Sequence, residues 1–233
     1  MTLEPVDKAV WSSKLKHFRR SYERHRLLGR LSLQSSEARE DELALLKSFF
    51  AFTGPLKGKV LDIGCGDGFY RDRIPEAEYF GVDPLAWEMH PAFPFLAAMG
   101  EALPFRSESF DHVLIVTSLD HAQDPLRFLS EGRRVLKTGG TLFLLCGLEG
   151  EGVGEGKRKR WERLRSDGMR ALFRGTITRF YRFTFRIHDT HPFEFTEDEI
   201  RSLVAGAFPD CENQRYSSNI LFFKARVPSC PMN

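Results

Sequence analysis

No C-x-x-C pair occurs in this chain of 233 residues; its four cysteines, Cys65, Cys146, Cys211 and Cys230, stand far apart. That spacing argues against a zinc site or a disulfide framework, and no metal is expected; buried or idle thiols are. No apolar run approaches the roughly 18 residues a membrane span needs. Nor does an apolar segment follow the basic first 30 residues to make a signal peptide, so a cytoplasmic protein is expected. Internal repeats, low-complexity tracts and long linkers are missing too. A single domain over residues 1–233 is therefore expected.

Acidic residues are scarce in two places. Between Lys157 and Arg186 there are 11 Lys/Arg against Glu162 and Asp167, and between Lys8 and Arg30 eight against Glu23 alone. The net charge of +2 hides this asymmetry, because outside residues 157–186 the chain holds 23 basic and 30 acidic residues.

What is present between residues 59 and 145 is an alternation of short apolar runs with polar connectors. "KVLDIG", "EYFGVD", "FPFLAA", "FDHVLIVTSL" and "TLFLLC" each read as a strand. The fourth and fifth are nearly continuous in apolar residues, as strands covered on both faces are. Between them "DPLRFLSEGRRVLKTGG" reads as a helix with Asp124 as cap, Pro125 in its first turn, and Gly139 and Gly140 beyond its end. This rhythm predicts right-handed crossovers and a parallel sheet with helices on both faces. Two helices are expected before the sheet, near residues 7–29 and in "EAREDELALLKSFFAF". "FTEDEIRSLVAGAF" predicts a helix opened by a Thr196/Glu199 capping box, and "CENQRYSS" and "NILFFKARV" predict the closing strands.

Gly64, Gly66 and Gly68 follow the first strand at its carboxyl end, where open parallel sheets bind ligands. A dinucleotide fingerprint needs glycine where Phe69 stands, and the Gly-Lys-Ser/Thr close of a P-loop is absent, so both common phosphate readings weaken. Asp83 closes the second strand in "GVDP", fifteen residues past Gly68. A carboxylate there can accept hydrogen bonds from both hydroxyls of a ribose; a solvated Asp-Pro turn is the other reading.

The pieces "VLDIGCGDG", "GVDP", "GEALPFRSESFDHVLIV", "LDHAQDP" and "LSEGRRVLKTGGTLFLL" stand in one order between Val60 and Leu145. Together they resemble a class I S-adenosylmethionine-dependent methyltransferase, of the broad type-11-like kind with small-molecule and RNA substrates. The resemblance implies a Rossmann-like, seven-stranded, mostly parallel sheet whose last strand runs antiparallel. It also implies an amino-terminal helical cap (1–55), a cofactor-binding core (56–148), a basic lid inserted after the fifth strand (149–195), and a carboxyl-terminal helix with the last strands (196–233). It implies S-adenosylmethionine as cofactor. Asp62, Gly64, Cys65 and Gly66 would hold the methionine end, Asp83 the ribose, and Pro84 and Leu85 one side of the adenine. Met99, Gly100, Glu101 and Ala102 would flank its other side, and Leu119 joins the cofactor set.

In this family the end of the fourth strand faces the methyl group, which makes Asp120 and His121 the catalytic candidates. Packing of the sheet edge is the other reading of His121, and a polar loop residue that of Asp120. His191, and with it His188, would reach the pocket from above, while His112 begins the fourth strand at the wrong end. In the lid, Trp161, Leu164, Gly168 and Leu172 fall at helical spacing, and from Ile177 the period changes to that of a strand. A small organic acceptor, with an anionic one suited to the basic lid, is the leading expectation. RNA bound through stretches 8–30 and 157–186 is the alternative. A catalytically silent binding or scaffold protein is the third reading.

Overall fold

The computed structural model describes residues 36–84, 92–148 and 195–228; side chains are described from residue 42 onward. The expected helix near 7–29, the basic stretches 8–30 and 157–186, the lid up to residue 194, Leu85, His188, His191 and Cys230 lie outside the described residues.

Among the described residues seven strands form one sheet: β1 (Gly58–Ile63), β2 (Ala77–Val82), β3 (Phe95–Leu96), β4 (Phe110–Val116), β5 (Leu136–Gly147), β6 (Cys211–Ser217) and β7 (Ile220–Arg226). Their order is β3-β2-β1-β4-β5-β7-β6. The pairs from β3 to β5 are parallel, and β7 runs antiparallel to both of its neighbours. Strand order reverses between β1 and β4, which opens a crevice at their carboxyl ends.

The central strands bury both faces, and period-two alternation sorts their side chains. Leu61, Ile63, Val113, Ile115, Leu142 and Leu144 enter one core. Two helices, α2 (Pro125–Val135) and α3 (Glu197–Ala207), cover it through Phe128, Leu129, Ile200 and Val204. Val60, Leu114, Phe143 and Leu145 enter the other core, covered by α1 (Ser36–Thr53) through Leu46 and Phe49. The Phe49 ring meets Phe222 edge-on at 5.3 Å. Helices therefore lie on both faces.

Local signals account for two helix starts. Asp124 accepts a hydrogen bond from the Arg127 amide with Pro125 next in line, and Thr196 and Glu199 make a reciprocal capping box. The stop of α2 differs from expectation. The helix ends at Val135, because Leu136 already pairs with Phe110 as the first residue of β5. The third strand is also shorter than expected. Pro94 cannot donate to a ladder, and only Phe95 and Leu96 pair with β2. After the glycine loop, Pro75 leaves room for no more than a 3-10 turn, Arg71–Arg73.

Candidate functional site

A cavity of about 360 Å³ opens at the carboxyl ends of β1, β2 and β4, bounded by Ile63, Val82 and Val116. That volume lies within the range of small-ligand sites. The glycine loop forms one wall. Gly64 and Cys65 both donate their N–H groups to the Val82 carbonyl, at 2.7 and 3.1 Å, which fastens the loop to the end of β2.

The glycines serve different ends. Gly64 sits at φ +83°, and a Cβ added there would lie 2.4 Å from the Ser118 Cβ. Ser118 occupies that space because its hydroxyl donates to the Ile63 carbonyl at 2.6 Å, tying β4 to β1. Gly66 sits at φ +51° with nothing within 4 Å of an added Cβ, so its open side is free for a ligand. A close approach of protein explains the first; the cavity explains the second.

Asp83 lines the cavity, and its Oδ2 accepts the Gly66 N–H at 3.2 Å. Pro84, Gly64, Cys65, Gly66, Gly100 and Glu101 line it too. Glu101 is buried, and its Oε1 accepts the backbone N–H groups of Gln123 (2.7 Å) and Asp124 (3.4 Å). That carboxylate holds the wall to the start of α2, where the helix dipole favours a negative charge. Met99, an expected flank of the adenine, is buried in the same wall, and Phe128 of α2 closes it. Burial, helped by the charges of Asp62 and Asp83, pushes the Cys65 thiol far above its usual range, so it is an idle thiol at neutral pH.

Four expected site residues do not line the cavity, Ala102 of the adenine flank among them. Asp62 is wholly buried and does not line the cavity; its Oδ2 accepts hydrogen bonds from the hydroxyls of Tyr70 (2.7 Å) and Tyr79. Its Oδ1 is buried without a hydrogen-bond partner. Burial pushes this carboxyl up to about 7 against the pull of the two hydroxyls, with the Asp83 charge adding to the rise. Leu119 is a core residue, 1% exposed, and lies off the cavity wall because its side chain joins the cluster under α2 and α3. Asp120 is also outside the lining. It lies close enough to Cys146 of β5 for its charge to add to burial in pushing that thiol up to about 12. His121 of the same 3-10 turn does line the cavity, beside Ala122.

Sequence reading missed Thr117 and the two tyrosines. Thr117 lines the cavity, is exposed, and holds φ +52°, a left-handed conformation that a β-branched residue rarely adopts. Its N–H donates to the Leu145 carbonyl at 3.1 Å, and the Ser118 bond to Ile63 fixes the next residue. Strain held this way is found where a side chain must face a site. Thr117→Gly should therefore raise stability by about 0.5–1 kcal/mol by releasing it. A thermal melt would detect this as a rise of about 2 °C, and a lower melting temperature would refute the strain. No local signal marks Thr117, because its angle is set by partners on β1 and β5.

Residues 61–144 match the family model of the Methyltransferase domain. An uncharacterized methyltransferase of Mycolicibacterium gilvum is 37% identical over 95 residues, which cover 36% of this chain and 37% of that protein. An uncharacterized protein of Methanocaldococcus jannaschii is 39% identical over 93 residues, covering 38% of this chain and 44% of its own length. The chain thus spans less than half the length of these curated relatives. Among solved structures, 1,6-didemethyltoxoflavin-N1-methyltransferase of Burkholderia thailandensis, with bound 1,6-didemethyltoxoflavin and S-adenosylhomocysteine, superposes with a TM-score of 0.56 at 17% identity. The match covers 98% of this chain and 94% of that one. The PH0226 protein of Pyrococcus horikoshii gives 0.58 at 18% identity, covering 88% and 98%. With the sheet order, the crevice at its reversal and the family match in agreement, residues 61–144 match the core of a methyltransferase domain of Rossmann-like fold.

Proposed function

We propose that the protein transfers the methyl group of S-adenosylmethionine to a small organic acceptor. The observation that carries this reading is the wall of the cavity. Its described lining is mostly apolar and holds three carboxylates, Asp67, Asp83 and Glu101, with no lysine or arginine. A cationic cofactor suits such a wall, and an RNA phosphate gains nothing from it.

The cavity's volume, the open side of Gly66 and the Asp83 carboxylate fit an adenosine-bearing ligand. When bound, S-adenosylmethionine supplies an activated methyl group on sulfur. Asp83 would accept from the ribose hydroxyls, Pro84 and the Met99–Glu101 segment would border the adenine, and the Gly64–Gly66 loop would carry the methionine end. That methyl group would be supplied to a nucleophilic atom of the acceptor, and the residues lining the cavity would serve to align the two partners. Where the acceptor must lose a proton, His121 on the cavity wall is the group to receive it, while Asp120, beside it in the chain, does not line the cavity. His191, outside the described residues, stays a candidate from the sequence alone.

RNA remains the second reading, favoured by the basic stretches 8–30 and 157–186. Among the described residues no helix is long and apolar enough to cross a membrane.

Labelled S-adenosylmethionine offered with separate pools of cell RNA, protein and small metabolites tests the proposal. Label is expected among the metabolites; label in RNA overturns the acceptor class, and label in no pool overturns the transferase reading. In the same assay Asp83→Ala should weaken cofactor binding at least about tenfold, the effect of losing one hydrogen bond to a charged acceptor. Calorimetric titration showing parental affinity would remove Asp83 from the ribose site.

A further inference from the structure

Asp62 raises a problem that the cavity alone does not answer. A carboxylate with no exposure is kept between two tyrosines, one oxygen satisfied twice and the other without a partner. Such a group is costly to bury, and an apolar side chain would serve the core better. It stands directly behind the glycine loop, two residues before Gly64. Its charge is felt by the thiol of Cys65, which lines the cavity, and the charge of Asp83, which also lines it, acts on Asp62 in turn.

We infer that Tyr70 and Tyr79 are positioning residues: by holding Asp62 behind the loop as a buried negative charge, they make the cavity prefer a cationic cofactor over its neutral product. The inference rests on S-adenosylmethionine being the cofactor. Donor and product differ by one methyl group and one positive charge on sulfur, and a charge in a low-dielectric wall acts across the loop without touching either. Tyr70 is the N-cap of the 3-10 turn and Tyr79 belongs to β2, so two elements must be in place for the carboxylate to stay ionised. The groups facing Asp62 are those two hydroxyls, Cys65 and Asp83. Arg71 of the 3-10 turn acts on Tyr79, and the Asp67 charge bears on Cys65. Both hydroxyls favour the charged form, burial opposes it, and the balance lies near neutrality.

The double variant Tyr70→Phe/Tyr79→Phe keeps both rings, and so their packing against Phe50 and Phe93. Calorimetry with S-adenosylmethionine and S-adenosylhomocysteine as separate probes, from about pH 6 to pH 8, reads the effect. In the parent the ratio of the two affinities should shift toward S-adenosylmethionine as pH rises, because Asp62 loses its proton across that window. In the variant the carboxyl keeps its proton, and at pH 7 the ratio should fall by about tenfold. A structural role alone would weaken both probes alike and leave the ratio and its pH profile where they were, and that result overturns the inference. If the parent binds both probes with a ratio independent of pH, the inference fails while the cofactor assignment stands. If it binds neither at any pH, the cofactor assignment itself fails, and the inference with it.

Discussion

Gly64→Ala is expected to destabilise the protein by roughly 2–6 kcal/mol, a large part of the stability of an ordinary domain. Two costs add. An alanine at φ +83° is strained, at about 1–3 kcal/mol. Its Cβ would also lie 2.4 Å from the Ser118 Cβ, and relieving that overlap costs about 1–3 kcal/mol more. Ser118 cannot turn aside cheaply, because its hydroxyl holds the Ile63 carbonyl inside the core. Gly66→Ala gives the contrast. Its Cβ meets nothing within 4 Å, so only the strain of φ +51° remains, about 1–2 kcal/mol. Urea denaturation of the two variants separates the cases. Equal losses would mean that Ser118 yields readily and that the loop is less tightly fastened to β4 than its geometry says. At the level of function the order should reverse, with Gly66→Val leaving a folded protein whose cofactor space is filled.

The second large effect is a pH dependence. Asp62 ionises near its ordinary value in the unfolded chain and only at about 7 in the folded one. Below about pH 4 both states carry the proton and the group contributes nothing unfavourable. As pH rises from about 4 to 7 the unfolded chain releases the proton while the fold retains it, so stability falls. Above about 7 the loss is complete, on the order of 4 kcal/mol. Asp62→Asn keeps the shape and an oxygen for the tyrosine hydroxyls but removes the titration. Its stability should fall less steeply than the parent's between about pH 4 and pH 7, and exceed the parent's at about pH 8. Denaturation curves taken at these pH values check it, and parallel pH profiles would show that burial of this carboxylate has been overcome by some other means. The charge that a cationic ligand can use is thus one that the empty fold tolerates poorly.

Much of the sheet was legible because strands covered on both faces have no polar positions to spare. "FDHVLIVTSL" and "TLFLLC" announce β4 and β5 for that reason, and Asp124, Thr196 and Glu199 announce helix starts through bonds reaching only three residues along the chain. Ends decided by distant partners were not legible. α2 gives way to β5 at Leu136 because Phe110, 26 positions earlier, pairs with it there. The cavity residues carried by tight turns, Gly64, Gly66 and Asp83, could be read from the sequence. Asp62 could not be placed, since what removes it from the cavity is a pair of hydroxyls eight and 17 residues downstream.

The two outermost strands among the described residues have a consequence for the molecule among its neighbours. An edge strand offers a row of unsatisfied backbone groups on which a second chain can template, the first step of aggregation. On one side β3 offers only two residues, Phe95 and Leu96. On the other, β6 is longer, but its sequence is "CENQRYS", with Glu212 and Arg215 among five consecutive exposed positions. A strange strand docking there would have to bury those charges or leave them unmatched, and neither edge carries the long apolar stretch that makes such docking favourable. The apolar surface of the sheet is concentrated in the middle strands, out of reach of an approaching chain until the edges have first been peeled away.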